Sequence, residues 1–205
     1  MNILQELRQK PWMADQAVLD NAHDGTAYVL AKSKLGLRVL LISITVVLSL
    51  FVIAYSDRMF VSDWHPLPEP WMLWLNTAVL IFSSVAMQRG VNAARERQIA
   101  AVKTNMLAAG GFAFAFLFGQ LMVWQQMIAL GFFAAANPAN AFFYLMTAVH
   151  GVHLLGGLVA WVRVVKRFKQ APDTVRLRES MELCATYWHY LLIVWLVFFI
   201  LLLFT

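Results

Sequence analysis

The chain has 205 residues, 61% of them hydrophobic and only 13% charged, with a formal net charge of +5. That balance, at a mean hydropathy of +0.66, excludes an ordinary soluble domain and implies an integral membrane protein. A single cysteine, Cys184, excludes an internal disulfide and any multi-thiolate metal or iron–sulfur site within this chain.

Residues 1–35 form a polar lead, read as a cytoplasmic N-terminal segment that is partly helical on the membrane surface. No cleavable signal peptide is expected, because the first apolar run begins only after this lead and continues at full spanning length. A membrane domain, residues 36–205, then carries five apolar runs near 37–55, 70–87, 106–130, 141–162 and 184–205. Each approaches the ~20 residues that cross a hydrocarbon core of roughly 30 Å as a helix. Runs such as LLIVWLVFFILLLF lack the alternation of a membrane β-strand, so the fold class is all-α and polytopic.

The connections differ in character. Residues 56–70, with three prolines and Trp64, read as an ordered turn with an interfacial aromatic. Asn137 followed by Pro138 predicts a tight hairpin between the third and fourth spans. Fifteen of the sixteen basic residues fall on one side: Arg8, Lys10, Lys32, Lys34 and Arg38; Arg89, Arg95, Arg97 and Lys103; Arg163, Lys166, Arg167, Lys169, Arg176 and Arg178. Only Arg58 falls on the other. Short basic loops stay in the cytoplasm, which predicts a cytoplasmic N-terminus and an external C-terminus. The basic loops meet acidic lipid headgroups, so the sequence pI near 9.6 is no argument for nucleic acid.

Small residues at four-residue spacing predict close helix packing: Ala109 and Ala113, Ala115 and Gly119, Thr147 and Gly151, Gly156 and Ala160. Polar residues inside spans are the functional candidates, because each costs free energy unless it finds a partner. They include Ser43, Thr45 and Ser49; Asn76, Thr77, Ser83 and Ser84; Gln120, Gln125 and Gln126; Thr147, His150 and His153; Thr186, Tyr187, His189 and Tyr190. All eleven Asp and Glu residues lie outside the five runs. A proton pump or ion-coupled carrier keeps an ionisable relay at depth, which argues against transport.

The histidines admit three roles: cofactor ligand, proton carrier, or tie between helices. His150 and His153, at i and i+3, stand about 60° apart on one helical face. A bis-histidine haem needs imidazoles at matched depth from two helices. His153 and His189 miss that match by roughly 6 Å at the helical rise. The residues therefore favour neutral imidazoles hydrogen-bonded to neighbouring helices, with no cofactor, metal or catalytic residue on this chain. A b-haem anchor through His153 and His189, and a small channel or carrier, remain as other classes.

Four segments resemble a known family. TAVHGVHLLGG (residues 147–157) looks like the T-G-F-H-G-x-H-V-x-x-G segment of haem–copper oxidase subunit III. YWHYLLIVW (187–195) resembles that family's Y-W-H-F-x-D-x-x-W, and LNTAVLIFSS (75–84) its N-T-x-x-L-x-x-S-S. Gln120 followed by Trp124 resembles its Q-x-x-E-W/Y segment. The motifs occur in family order across all five spans, from roughly residue 35 to 205, in the pattern of the short five-helix form.

What the resemblance implies is an accessory subunit of a respiratory terminal oxidase in the bacterial inner membrane, most simply of a cytochrome c oxidase. A quinol oxidase or nitric oxide reductase accessory protein is the alternative. It implies partners, the catalytic subunit I and subunit II, that hold the haems and copper. It also implies bound phospholipid in a cleft of a two-plus-three helix arrangement, with Arg38 and Arg89 as headgroup candidates. Asn76, Gln120, Thr147, His150, His153, Tyr187 and His189 are then a structural polar network. Three positions depart from the family: Ile44, Val123 and Leu192 stand where carboxylates are usual.

Overall fold

The computed structural model describes residues 26–62, 64, 71–170 and 175–204, with side chains from Lys32 onward. Most of the 1–35 lead, much of the 56–70 turn and the loop around Asp173 lie outside the described residues. Among those described, every regular element is an α-helix: α1 (Thr26–Arg58), α2 (Trp71–Arg95), α3 (Ile99–Ala129), α4 (Pro138–Gln170) and α5 (Val175–Leu203). All five are long and apolar enough to cross a membrane.

The chain divides into two units, Met1–Leu40 and Leu41–Thr205, with the boundary inside α1. In the first, the helix is already formed at Thr26, eleven residues ahead of the apolar run, and Lys32, Lys34 and Arg38 are exposed. The other helices also outrun their apolar segments. α4 has 33 residues, about 50 Å at the helical rise, against a hydrocarbon core of roughly 30 Å. Hydropathy marks only the part that lipid surrounds, whereas helix formation continues through Lys, Arg, Glu and Leu, all good helix formers. The basic overhangs are tied together: Arg95 pairs with Glu182 at 2.7 Å, and the Arg167 guanidinium donates to Ser180.

In the second unit α2–α5 close into a ring, because α2 packs on α3 and α5, and α4 on α3 and α5. This corrects the expected two-plus-three arrangement. α2 does not lean away from the last three helices. It carries four buried polar residues, Asn76, Thr77, Ser83 and Ser84, and they are held by contacts with α3 and α5, so separating α2 would strand them. From Leu41 onward α1 instead buries a narrow stripe, Ile44, Leu48 and Tyr55, at the spacing of one helical face.

Two tight connections set the ring's geometry. α2 ends with Arg97 at φ 59°. The Gln98 N–H reaches the Ala93 carbonyl at 2.9 Å and the Arg97 N–H that of Ala94, the paired bonds of a left-handed helix stop. α3 ends the same way with Gly131 at φ 87°. There Phe132 N–H bonds to the Met127 carbonyl at 3.0 Å. Asn137 then caps α4 through its Oδ1, which accepts from the Ala139 N–H at 3.1 Å, and Pro138 is its first helical residue. Asn140 and Tyr144 fasten the turn by donating to the Phe133 and Phe132 carbonyls, each at 3.0 Å.

Candidate functional site

The chemistry-bearing residues meet along the four seams of the ring. On the α2–α3 seam the Asn76 Nδ2 donates to the Phe116 carbonyl at 3.2 Å and to Gln120 Oε1 at 3.1 Å. Lower on that seam the Ser83 hydroxyl donates to the Ala109 carbonyl at 2.7 Å. Gly119 makes the upper contact possible, since a Cβ there would stand 2.2 Å from Asn76 Oδ1.

Tryptophans hold two of the other seams. Between α3 and α4 the Trp124 indole donates to Thr147 Oγ1 and the Trp161 indole to the Met106 carbonyl, both at 3.0 Å. Between α5 and α2 the Trp188 indole donates to Ser83 Oγ and the Trp195 indole to Thr77 Oγ1, both at 2.9 Å. The reading of polar residues above omitted these four donors. The available signal was that an indole within an apolar run must place its one N–H on an acceptor. On the α4–α5 seam the Tyr187 hydroxyl donates to the His153 carbonyl at 3.0 Å, with the Tyr187 ring against Gly157, 3.1 Å from where a Cβ would lie.

The three histidines within the spans differ sharply from one another. His189 bridges α5 to α2, with Ser84 Oγ on its Nδ1 and Gln88 Oε1 on its Nε2 at 2.9 Å. Because the amide oxygen only accepts, Nε2 carries the proton and Nδ1 accepts from the serine. His153 turns its ring back on its own helix, Nδ1–H donating to the Val149 carbonyl at 2.8 Å. His150 is 1% exposed and neither of its ring nitrogens has a hydrogen-bond partner. The expected tie between helices therefore fails for the rings of His150 and His153. The helix rotation that buries Thr147, Leu154 and Gly157 sends His150 into the ring's aromatic centre. There its ring lies 5.8 Å from Phe116 and 5.2 Å from Trp195.

The family-carboxylate positions are apolar in fact as well as in type. Val123 is 0% exposed inside the ring and Ile44 8% exposed in the α1 stripe, while Leu192 is half-buried. The buried polar side chains among the described residues are Asn76, Thr77, Ser83, Ser84, Gln120, Asn140, Thr147 and His150. None is an acid, a lysine or an arginine. Among the described residues no three His, Cys, Asp or Glu side chains cluster to hold a metal ion. Arg38 and Arg89 are both exposed.

Comparison with known proteins finds a likeness over nearly the whole chain. The family model for cytochrome c oxidase subunit III matches residues 9–205. A probable cytochrome c oxidase subunit 3 of Mycobacterium bovis is 29% identical over 154 residues, covering 73% of this chain and 76% of that protein. The corresponding protein of Nocardia farcinica is 31% identical over 140 residues, covering 65% and 68%. The cytochrome c oxidase subunit 3 of Thermostichus vulcanus is 25% identical over 189 residues, covering 90% of each chain.

Proposed function

Because the chain belongs to the cytochrome c oxidase subunit III family, we propose that it is the non-catalytic accessory subunit of a bacterial cytochrome c oxidase. One observation carries the reading beyond family membership. Among the described residues none of the ring's buried polar side chains is an acid, a lysine or an arginine, and all but His150 hold hydrogen bonds to protein groups. Such an interior is a scaffold, with chemistry left to partner chains.

The catalytic subunit I and subunit II are the partners, and they carry the haems and copper. This chain carries none. The hydrogen bonding of His189 supports that division, since both its nitrogens are engaged by α2 and a b-haem anchor through His153 and His189 would have to break them. The relatives named cytochrome c oxidase subunit 3 favour a cytochrome c oxidase over a quinol oxidase or nitric oxide reductase. The protein lies in the bacterial inner membrane with its N-terminus cytoplasmic, a reading that the fifteen-to-one distribution of basic residues supports. Phospholipid covers its outward apolar faces, and Arg38 and Arg89 attract headgroup phosphates electrostatically.

The test is mild detergent extraction followed by purification through a tag on this chain. The expected result is recovery of a large haem-containing subunit, with no visible haem band in the separated chain. A six-coordinate low-spin haem in the separated chain would overturn the reading in favour of an anchor. For orientation, a periplasmic reporter fused after Thr205 should be active and one inserted near Asp173 silent; the reverse pattern would refute the topology.

A further inference from the structure

Two side chains at the ring's centre have polar atoms that the protein leaves unmatched, and their chemistry is complementary. Gln120 is 5% exposed and its Nε2 has no partner. Its orientation is fixed, because Asn76 Nδ2 donates to its Oε1 while also donating to the Phe116 carbonyl. The amide N–H groups of Gln120 are therefore on the side of its amide away from the Asn76 donor. His150, with both ring nitrogens unpartnered, supplies one acceptor nitrogen in either neutral tautomer.

Three ring contacts relate the surroundings of the two groups. Phe116, one helical turn before Gln120 on α3, stands 5.8 Å from the His150 ring and 4.9 Å from Trp195. Trp195 lies 5.2 Å from His150 and bonds to Thr77, the neighbour of Asn76. An N–H to aromatic-face contact could satisfy the donor nitrogen of His150, but it leaves the acceptor nitrogen and the Gln120 amide. Each buried polar atom left so costs free energy of the order of a lost hydrogen bond.

We propose that one water molecule binds between Gln120 Nε2 and His150. It accepts from the Gln120 amide and donates to the unprotonated imidazole nitrogen, which gives it two polar partners, the minimum for a buried structural water. The site explains why a histidine occupies an aromatic centre: it couples α4 to the Asn76–Gln120 clamp of α2 and α3 through the solvent molecule.

A structure of the full chain, in the complex with which it purifies and at a resolution that shows ordered solvent, tests this directly. A solvent peak within hydrogen-bonding distance of both side chains is expected, and its loss in His150→Phe and in Gln120→Leu. A direct amide-to-imidazole bond, or no peak, would overturn the site. Thermal stability gives a second measurement. Each single variant should lower the midpoint, and the double variant should lower it no further than the worse single, because both remove the same bridge. Unchanged single variants or additive losses would refute it.

Discussion

α1 and the α2–α5 ring use similar amounts of apolar sequence to different ends. In α1 only 11% of the most apolar window is buried within the chain, against 33% to 44% in the other four helices. Its hydroxyls Ser49 and Ser56 bond back to their own helix, and Thr45 does so while also meeting Tyr190 at 3.0 Å. In the ring, by contrast, hydroxyls, amides and indoles cross from helix to helix on every seam. Lipid is as apolar as leucine, so hydrophobicity alone cannot hold helices together inside a membrane. The ring is held by close packing and crossed hydrogen bonds, and α1 is a helix whose outer surface is left for lipid or another subunit.

The largest expected contrast comes from inserting a carboxyl group into each region. Val123→Glu places it at a fully buried ring position, and should cost several kcal/mol and prevent recovery of folded protein. Ile44→Glu, at the edge-lying α1 stripe, should be the milder of the two, though still destabilising. Equal yields of the two variants in detergent would break the comparison.

Adjacent glycines sharpen it. A Cβ on Gly110 would stand 2.4 Å from the Trp161 ring, whereas one on Gly111 meets nothing within 4 Å. Gly110→Ala should therefore destabilise by about 2–3 kcal/mol through overpacking. Gly111→Ala should stabilise by up to about 1 kcal/mol through helix propensity. Thermal unfolding in detergent reads both, and the same sign for both would place the α3–α4 seam wrongly.

Smaller effects follow from the indoles. Trp195→Phe or Trp188→Phe keeps an aromatic ring but removes the only N–H, and each should lose about 1–2 kcal/mol. Smallest of all, Ile42→Ala and Ile53→Ala on the exposed face of α1 should leave the separated chain within about 0.5 kcal/mol of the parent. Any larger loss that appears only in the assembled complex would mark that face as a subunit contact.

The sequence made the five spans and the inventory of interior polar residues legible, because both follow from hydropathy and the cost of burying polarity. Pairing was less legible. His150 and His189 look alike in sequence, yet one has two hydrogen bonds and the other none; helix rotation set by neighbours decides that. Likewise Gly156 and Gly157 are adjacent, and only Gly157 closely faces the Tyr187 ring. The two-plus-three grouping came from resemblance rather than from residues, and the four buried polar side chains of α2 were the signal against it.

Ser83 also links the order in which the helices are made to the way they pack. Its hydroxyl donates a hydrogen bond to the Ala109 carbonyl of α3 and accepts one from the Trp188 indole of α5. Synthesis runs from the N-terminus, so α2 and α3 exist as a hairpin, joined by the short Glu96–Gln98 stop, before α5 is made. Once the serine proton is committed to α3, its lone pairs are aimed outward as a prepared acceptor. The last helix enters the bilayer with its indole N–H still to be matched, and the first three-quarters of the ring already specify the rotation at which that match occurs.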